Sequence, residues 1–336
     1  MNKFVLPYEF DVLSISSQFD AFYLGINKAI NPCYLDDVFN DYGQVMLIEP
    51  SLLNFYSSWI YMPDMYHKLD IQFNKNIDEG FKEFNEPNFL IYLKKLLEQG
   101  FYIQGFYDEY FIPGKDAYEK YPLSHGYLIY GYDDKNQCFL SAGYNNDIYK
   151  PFNIEYSNFL NSITSKNVNS TSISFIKPNE KYLNIPTDIK KVYVVIRGYL
   201  ESIDIYGGSS HSKLFGVDAV RYVIDAENER ERFDLKNIRL LFEFRHINQL
   251  KLEFLLKNNY MSDEKIISEQ KALTDESRIT LILATKYNIT LNKDLRERVL
   301  CRLTEQLNKE IKILHYSLDD LAETSDLEYL NEYKFK

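Results

Sequence analysis

Residues 100–144 read GFYIQGFYDEYFIPGKDAYEKYPLSHGYLIYGYDDKNQCFLSAGY, and this stretch decides the fold class. It contains three β-rich runs, FYIQGFYDEYFIP, HGYLIYGYDD and CFLSAGY, and the turn-forming sequence Asp-Asp-Lys-Asn separates the last two. A similar run, SISFIKP, follows at residues 172–178. Because turn chemistry interrupts these runs, we expect them to form antiparallel strands.

A helical pattern occurs twice before this region. DAFYLGINKAI predicts a helix that begins near Asp20, a good N-cap, and stops before Pro32, because the residue before a proline is disfavoured in the α conformation. FKEFNEPNFLIYLKKLLEQG predicts a second helix from Pro87 to a C-cap at Gly100. Early helices followed by a sheet indicate an α+β fold rather than a doubly wound α/β fold.

The second half of the chain is helical throughout. From Pro186 onward the pattern predicts five helices, which suit a bundle-like unit. The preceding segment IKPNEKYLNIP contains two prolines and is the expected boundary. We therefore predict an α+β domain over residues 1–180 and a helical domain over residues 181–336.

Composition excludes several classes of protein. The net charge of −11 comes without a basic stripe, so nucleic acid is not an expected partner. No apolar run is long enough to cross a bilayer, and the start of the chain lacks the pattern of a signal peptide. Three widely spaced cysteines indicate neither a disulfide framework nor a zinc site, so we expect a cytoplasmic protein without metal or cofactor.

His125 is the strongest candidate for a catalytic residue. It lies at the start of the apolar strand HGYLIYGYDD, which continues through a hairpin into CFLSAGY. In cysteine-nucleophile enzymes the base histidine lies on such a strand and faces a thiol at a helix N-terminus. A structural histidine at a strand edge is the alternative interpretation.

The quoted stretch resembles the butirosin-biosynthesis-protein-H-type family of papain-like acyltransferases. In that family a DEYYIP-like strand precedes an H-x-x-x-I-x-G-Y-D hairpin, and residues 215–256 also resemble its helical half. The resemblance implies a papain-like catalytic domain whose cleft the helical domain covers. It also implies a Cys-His-Asp/Asn triad that transfers an acyl group from a carrier-protein thioester to an amine, forming an amide in natural-product (nonribosomal peptide) biosynthesis.

The position of the family's nucleophile is occupied by alanine. The resemblance implies a D-C-[FY] sequence at the first turn of the first helix, and here Asp20-Ala21-Phe22 stands in its place. Three explanations remain open: the chain is a Cys-to-Ala variant, it is a natural pseudoenzyme, or Cys33 is the nucleophile instead. Cys33 follows Asn31-Pro32 and is also placed to precede a helix.

Two further site roles are predicted. Gln18, three residues before Ala21, is a candidate donor to an oxyanion. Relatives have an acid where this chain has Gly143, so Asn145 or Asn146, with Asn145 favoured, is the candidate to orient the imidazole. The function predicted is amide-forming acyl transfer through a cysteine acyl-enzyme, with a carrier protein and an amine acceptor as partners. The alternatives are a non-catalytic carrier-protein or peptide-binding module and a cysteine peptidase.

Overall fold

The computed structural model describes residues 2–14, 18–49, 52–55, 69–76, 86–145, 148–165, 172–178, 183–205, 214–325 and 327. The chain divides into two compact units. The first, here called the sheet unit, comprises Met1–Pro32 and Tyr66–Leu183. The second, the helical unit, comprises Cys33–Met65 and Asn184–Lys336.

The described helices are, in chain order, α1 Gln18–Ile30, α2 Tyr34–Asp41, α3 Glu86–Glu98, α4 Tyr156–Ile163, α5 Ile189–Leu200, α6 Gly216–Glu229, α7 Leu235–Lys257, α8 Glu264–Thr290 and α9 Lys293–Thr324. The described strands are β1 Lys3–Val5, β2 Val45–Glu49, β3 Leu52–Phe55, β4 Leu69–Asn76, β5 Tyr102–Asp108, β6 Ser124–Asp133, β7 Cys138–Asn145, β8 Ile148–Glu155 and β9 Ser172–Pro178. The fold is mixed α+β with an antiparallel sheet and a C-terminal helical region, as the sequence predicts.

The sheet unit is built on the predicted antiparallel strands. Its strand order is β4-β9-β5-β6-β7-β8, and β1 pairs with β6 outside this path. The β6–β7 hairpin and the neighbouring β5 form its middle, with Tyr107 of β5 opposite His125 of β6. Glycine is required at position 131 of β6, where β1 pairs with it, because a Cβ there would lie 2.5 Å from the backbone oxygen of Phe4.

The helix before β5 ends as predicted. Gly100 has φ +89°, Phe101 N donates to Leu96 O at 3.0 Å, and Gly100 N donates to Leu97 O at 2.9 Å. These two bonds are the Schellman pattern, which needs a residue such as glycine that tolerates positive φ.

The first helix differs from the prediction at its start. It ends at Ile30, ahead of Asn31-Pro32 as expected, but it begins at Gln18. Asp20 is therefore a buried residue of the first turn and not the N-cap. Aspartate is favoured both at the N-cap and in the first turn of a helix, where its charge interacts with the helix dipole. The sequence alone therefore does not distinguish the two positions.

The helical unit contains the five predicted helices, α5 to α9, among its described residues. The side chains of Asp188, Asp234, Asp263 and Asn292 accept backbone N–H bonds at the starts of α5, α7, α8 and α9. None of the helices in the described part of the chain combines the length and apolarity needed to cross a bilayer.

The division of the chain differs from a single cut near residue 180. The second boundary, Leu183–Asn184, lies close to the predicted one, but Cys33–Met65 belongs to the helical unit. Within that unit Asn237 Oδ1 accepts a hydrogen bond from Leu53 N at 2.9 Å, and the ring centroids of Phe39 and Phe254 lie 5.3 Å apart. These contacts join residues about 180 to 215 positions apart, so local sequence patterns do not reveal them.

Candidate active site

His125 has a defined hydrogen-bond partner on one side of its ring. Its Nδ1 lies 2.8 Å from Oε1 of Glu109, and its side chain is 44% exposed. Because an ionised carboxylate only accepts hydrogen bonds, Nδ1 is the donor to Glu109, and in the neutral ring Nε2 is therefore the nitrogen that can accept. The hydrogen bond fixes the orientation of the imidazole, which is what the predicted role of a base would require.

The backbone around Glu109 is fixed by its neighbours. Glu109 opens a 3-10 turn, Glu109–Phe111, directly after β5, and its N–H donates to Leu123 O at 2.8 Å. Asp108 Oδ1 accepts from Tyr110 N at 3.0 Å and from Leu123 N at 3.2 Å. The turn therefore holds the Glu109 carboxylate beside the start of β6.

Glu109 is a buried carboxylate with more than one partner. The hydroxyl of Tyr127 donates to the same Oε1 that contacts His125, and Lys115 Nζ lies 4.0 Å away. Burial alone would raise the pKa of Glu109, but the hydrogen bonds from His125 and Tyr127, together with the charges of His125 and Lys115, lower it below its usual value. The group is therefore an anion at neutral pH.

Lys115 packs between aromatic rings beside this carboxylate. Its Nζ lies 4.4 Å from the ring centroid of Tyr127 and 3.8 Å from that of Phe152, and it donates to the backbone oxygen of Tyr144. Burial lowers the pKa of Lys115 to about 8, although the nearby Glu109 charge opposes the change. This cation supports the ionised form of Glu109 through space.

The first turn of α1 packs against the strand that carries His125. A Cβ on Gly126 would lie 3.4 Å from Phe19 Cζ and 3.7 Å from Oε1 of Gln18. Nε2 of Gln18 is buried and has no hydrogen-bond partner within the described part of the chain. The predicted oxyanion donor thus lies against the residue that follows His125.

Ala21, the predicted nucleophile position, is in the same turn and is fully buried. Its backbone oxygen accepts a hydrogen bond from the Tyr8 hydroxyl at 3.1 Å. Cys33, the alternative nucleophile, is the N-cap residue of α2 and belongs to the helical unit. Ala21, Gln18 and His125 all belong to the sheet unit.

The structure explains why position 143 lacks the expected acid. A Cβ on Gly143 would lie 2.4 Å from Cδ1 of Tyr127, so the Tyr127 ring excludes a side chain there. The contact with Nδ1 of His125 that was expected from Asn145 is made by Glu109. Asn145 ends β7, and its Oδ1 is buried without a hydrogen-bond partner among the described atoms. Asn146 lies outside the described residues.

Glu109 is the site residue that sequence reasoning missed. It follows β5 directly, within the Asp108-Glu109-Tyr110 part of the quoted stretch, sixteen positions before His125. An acid at the end of one strand and a histidine at the start of its antiparallel neighbour are brought together by the hairpin-like pairing of β5 with β6. That arrangement is the signal that points to Glu109.

No protein-family model and no curated protein matches the chain. What the protein does must therefore follow from the chemistry of its own residues.

Proposed function

We propose that the sheet unit is the catalytic domain of a papain-like acyltransferase, which moves an acyl group from a carrier-protein thioester to an amine and so forms an amide in natural-product (nonribosomal peptide) biosynthesis. The observation that carries the proposal is the half-exposed imidazole of His125, whose Nδ1 is held by the buried carboxylate Glu109. The first turn of α1 packs against Gly126, the next residue of the same strand. Within the butirosin-type family, the amide-forming enzyme of closthioamide assembly is the particular protein that the sequence resembles.

In the proposed reaction a thiol at position 21 gives its proton to Nε2 of His125, and the thiolate attacks the thioester carbonyl. The carrier thiol leaves with the proton from the imidazolium, and an acyl-enzyme thioester remains. The acceptor amine then attacks this thioester, passes a proton through His125 and releases the enzyme thiol as the amide forms. Glu109 stays ionised and stabilises the imidazolium in both steps.

Gln18 supplies the oxyanion donor in this proposal. Its buried Nε2 has no partner in the described part of the chain, so it has a hydrogen bond to offer. Such donors stabilise the negative oxygen of the tetrahedral intermediate. Because Ala21 is fully buried, substrate reaches position 21 only when the residues around it move.

Ala21 favours a second candidate function. A methyl group is no nucleophile, so the chain with Ala21 binds the acyl donor without forming an acyl-enzyme. On this account the protein is a non-catalytic carrier-protein or peptide-binding module built on the same domain.

Restoring the thiol tests the proposal. We expect the Ala21→Cys protein to gain an acyl adduct on the peptide that contains position 21 when it is incubated with an acyl thioester of N-acetylcysteamine, as detected by mass spectrometry. The adduct should disappear in the Ala21→Cys, His125→Ala double variant and should pass to an added amine. Ala117→Cys, at another fully buried alanine of the sheet unit, is the matched control.

The possible outcomes separate the candidate functions. No adduct at position 21, or an adduct that forms equally well without His125, rules out the acyltransferase proposal. Unchanged binding of an acylated carrier protein with no turnover supports the binding module. Cleavage of simple peptides by the Ala21→Cys protein supports the peptidase.

A further inference from the structure

The outer face of α8 is unusually apolar for an exposed helix surface. Ile279, Ile282 and Ile289 are 46%, 59% and 78% exposed. The opposite face of the helix, which includes Leu273, Ala284 and Tyr287, is buried, and the helix packs against α7 and α9. A series of exposed isoleucines on one long helix is a candidate interaction surface.

Cations share this face with the isoleucines. Arg278, Ile282 and Ile289 follow Lys271 by seven, eleven and eighteen residues, which is about two, three and five helical turns, so the four side chains lie along one line. Lys271, Arg278 and Lys286 are exposed. Asp275, four residues after Lys271 and three before Arg278, is an exposed acid on the same face, so the face carries three cations and one anion. Within the described residues none of the three cations takes part in an ion pair.

With three cations and one anion this face is locally basic, whereas the chain as a whole has a net charge of −11. An acidic partner is repelled by the protein as a whole, so it binds only where the local field is positive. On this face Ile282 lies between Arg278 and Lys286, and Ile289 follows Lys286. This arrangement is complementary to a partner helix whose apolar residues are flanked by Asp and Glu.

We propose that this α8 face, defined by Lys271, Arg278, Ile282, Lys286 and Ile289, docks an acidic amphipathic helix of the carrier protein that delivers the acyl donor. The identity of the partner rests on the proposed function. The face is narrow, and the threonines at 285 and 290 share it, whereas helices that lie on membranes present a broader apolar sector with aromatic residues. A protein helix therefore fits it better than a lipid surface.

Binding of a purified acidic acyl carrier protein in its phosphopantetheinylated form tests this inference. Isothermal titration calorimetry with the full chain, carrying Ala21, should give a dissociation constant that increases as the ionic strength rises. Ile282→Asp and Arg278→Glu should each weaken binding about tenfold. Ile148→Asp, at an isoleucine of equal 59% exposure in the sheet unit, and Arg221→Glu, at an exposed arginine of α6, should change it by less than about twofold.

Several results would overturn the inference. These are no binding of the carrier protein, or binding that Ile282→Asp leaves unchanged. Dimerisation of the protein that Ile282→Asp abolishes would assign the face to a second copy, and co-sedimentation with phosphatidylcholine–phosphatidylglycerol vesicles that it abolishes would assign it to membranes.

Failure of this inference is distinguishable from failure of the proposed function. Carrier binding through α8 with no acyl adduct on the Ala21→Cys protein would keep the docking face and remove the acyltransferase. Adduct formation from an acylated carrier that Ile282→Asp does not slow would keep the acyltransferase and remove the docking face.

Discussion

Nδ1 of His125 lies 2.8 Å from Oε1 of Glu109, and this pair joins the start of β6 to the turn that follows β5. The Glu109 side chain is buried, so its carboxylate is kept from water, while the His125 side chain is partly exposed. The pairing fixes the orientation of the imidazole, as the proposed role of His125 as a base requires.

Removing the charge of Glu109 should impair acylation without unfolding the protein. In the Ala21→Cys background we expect Glu109→Gln to slow formation of the acyl adduct by about 10²- to 10⁴-fold, because the imidazolium loses its anion. Quench-flow with intact-mass detection measures the rate. Glu155→Gln, at an exposed glutamate of the same unit, is the control. Equal rates for Glu109→Gln and its parent would show that the pair has no role in catalysis.

A methyl group at position 143 should strain the site. The added Cβ of Gly143→Ala would lie 2.4 Å from the Tyr127 ring, so we expect a loss of about 1–3 kcal/mol in the free energy of unfolding. Gly105→Ala is the matched control in β5, because its nearest atoms lie at 3.4 Å, an ordinary contact distance. Urea-induced unfolding measures both variants. A Gly143→Ala protein as stable as the Gly105→Ala protein would contradict the crowding.

The helical unit contains a buried ion pair whose loss should be costly. Arg245 Nε lies 2.5 Å from Oε2 of Glu310, and Nη1 donates to Ser277 Oγ and Gln306 Oε1, each at 2.9 Å. Arg245→Met leaves a buried carboxylate without its cation, so we expect a loss of about 3–5 kcal/mol in unfolding free energy. Adding Glu310→Gln should recover part of that loss.

The control for the ion pair is Arg221→Met. Arg221 pairs with Asp218 at 3.2 Å on the exposed surface, so this change should cost about 0–1 kcal/mol. If urea unfolding gave similar losses of unfolding free energy for Arg245→Met and Arg221→Met, the burial of the Arg245–Glu310 pair would not be what makes its loss costly.

Lys251 should make stability depend on pH. It is fully buried and donates to Tyr42 O at 2.9 Å, and burial lowers its pKa from 10.5 to about 7, with the charge of Asp41 opposing and that of Lys191 adding to the change. Between pH 7 and 10.5 the unfolded chain binds more protons than the folded chain, so the contribution of Lys251 to stability rises with pH across that window.

Lys251→Met removes this dependence. The stability of the parent minus that of the variant should rise by up to about 1.4 kcal/mol per pH unit above pH 7, as measured by urea unfolding at several pH values. Lys257→Met, at an exposed lysine of the same helix, should show no such trend. A constant or falling difference would refute the depressed pKa.

The β5–β6 pairing explains why part of the site is predictable from sequence and part is not. His125 stands out because it lies at the start of an apolar strand, and Gln18 and Ala21 stand out because a helix begins near them. Glu109 looks like an ordinary loop acid until β5 and β6 align in register. Asn145 is a reasonable candidate to orient the imidazole until the structure shows that Glu109 already contacts Nδ1 of His125.

The sequence by itself determined the α+β class, the strands around the β6–β7 turn, the Gly100 helix end and the five helices after Pro186. These depend on capping, turn residues and hydrophobic period, which act within a few positions along the chain. Only the tertiary structure decided that Glu109 holds His125, that Tyr127 excludes an acid at Gly143 and that Cys33–Met65 joins the helical unit. Those outcomes depend on packing between residues that are distant in the chain, and their local sequence carries little trace of it.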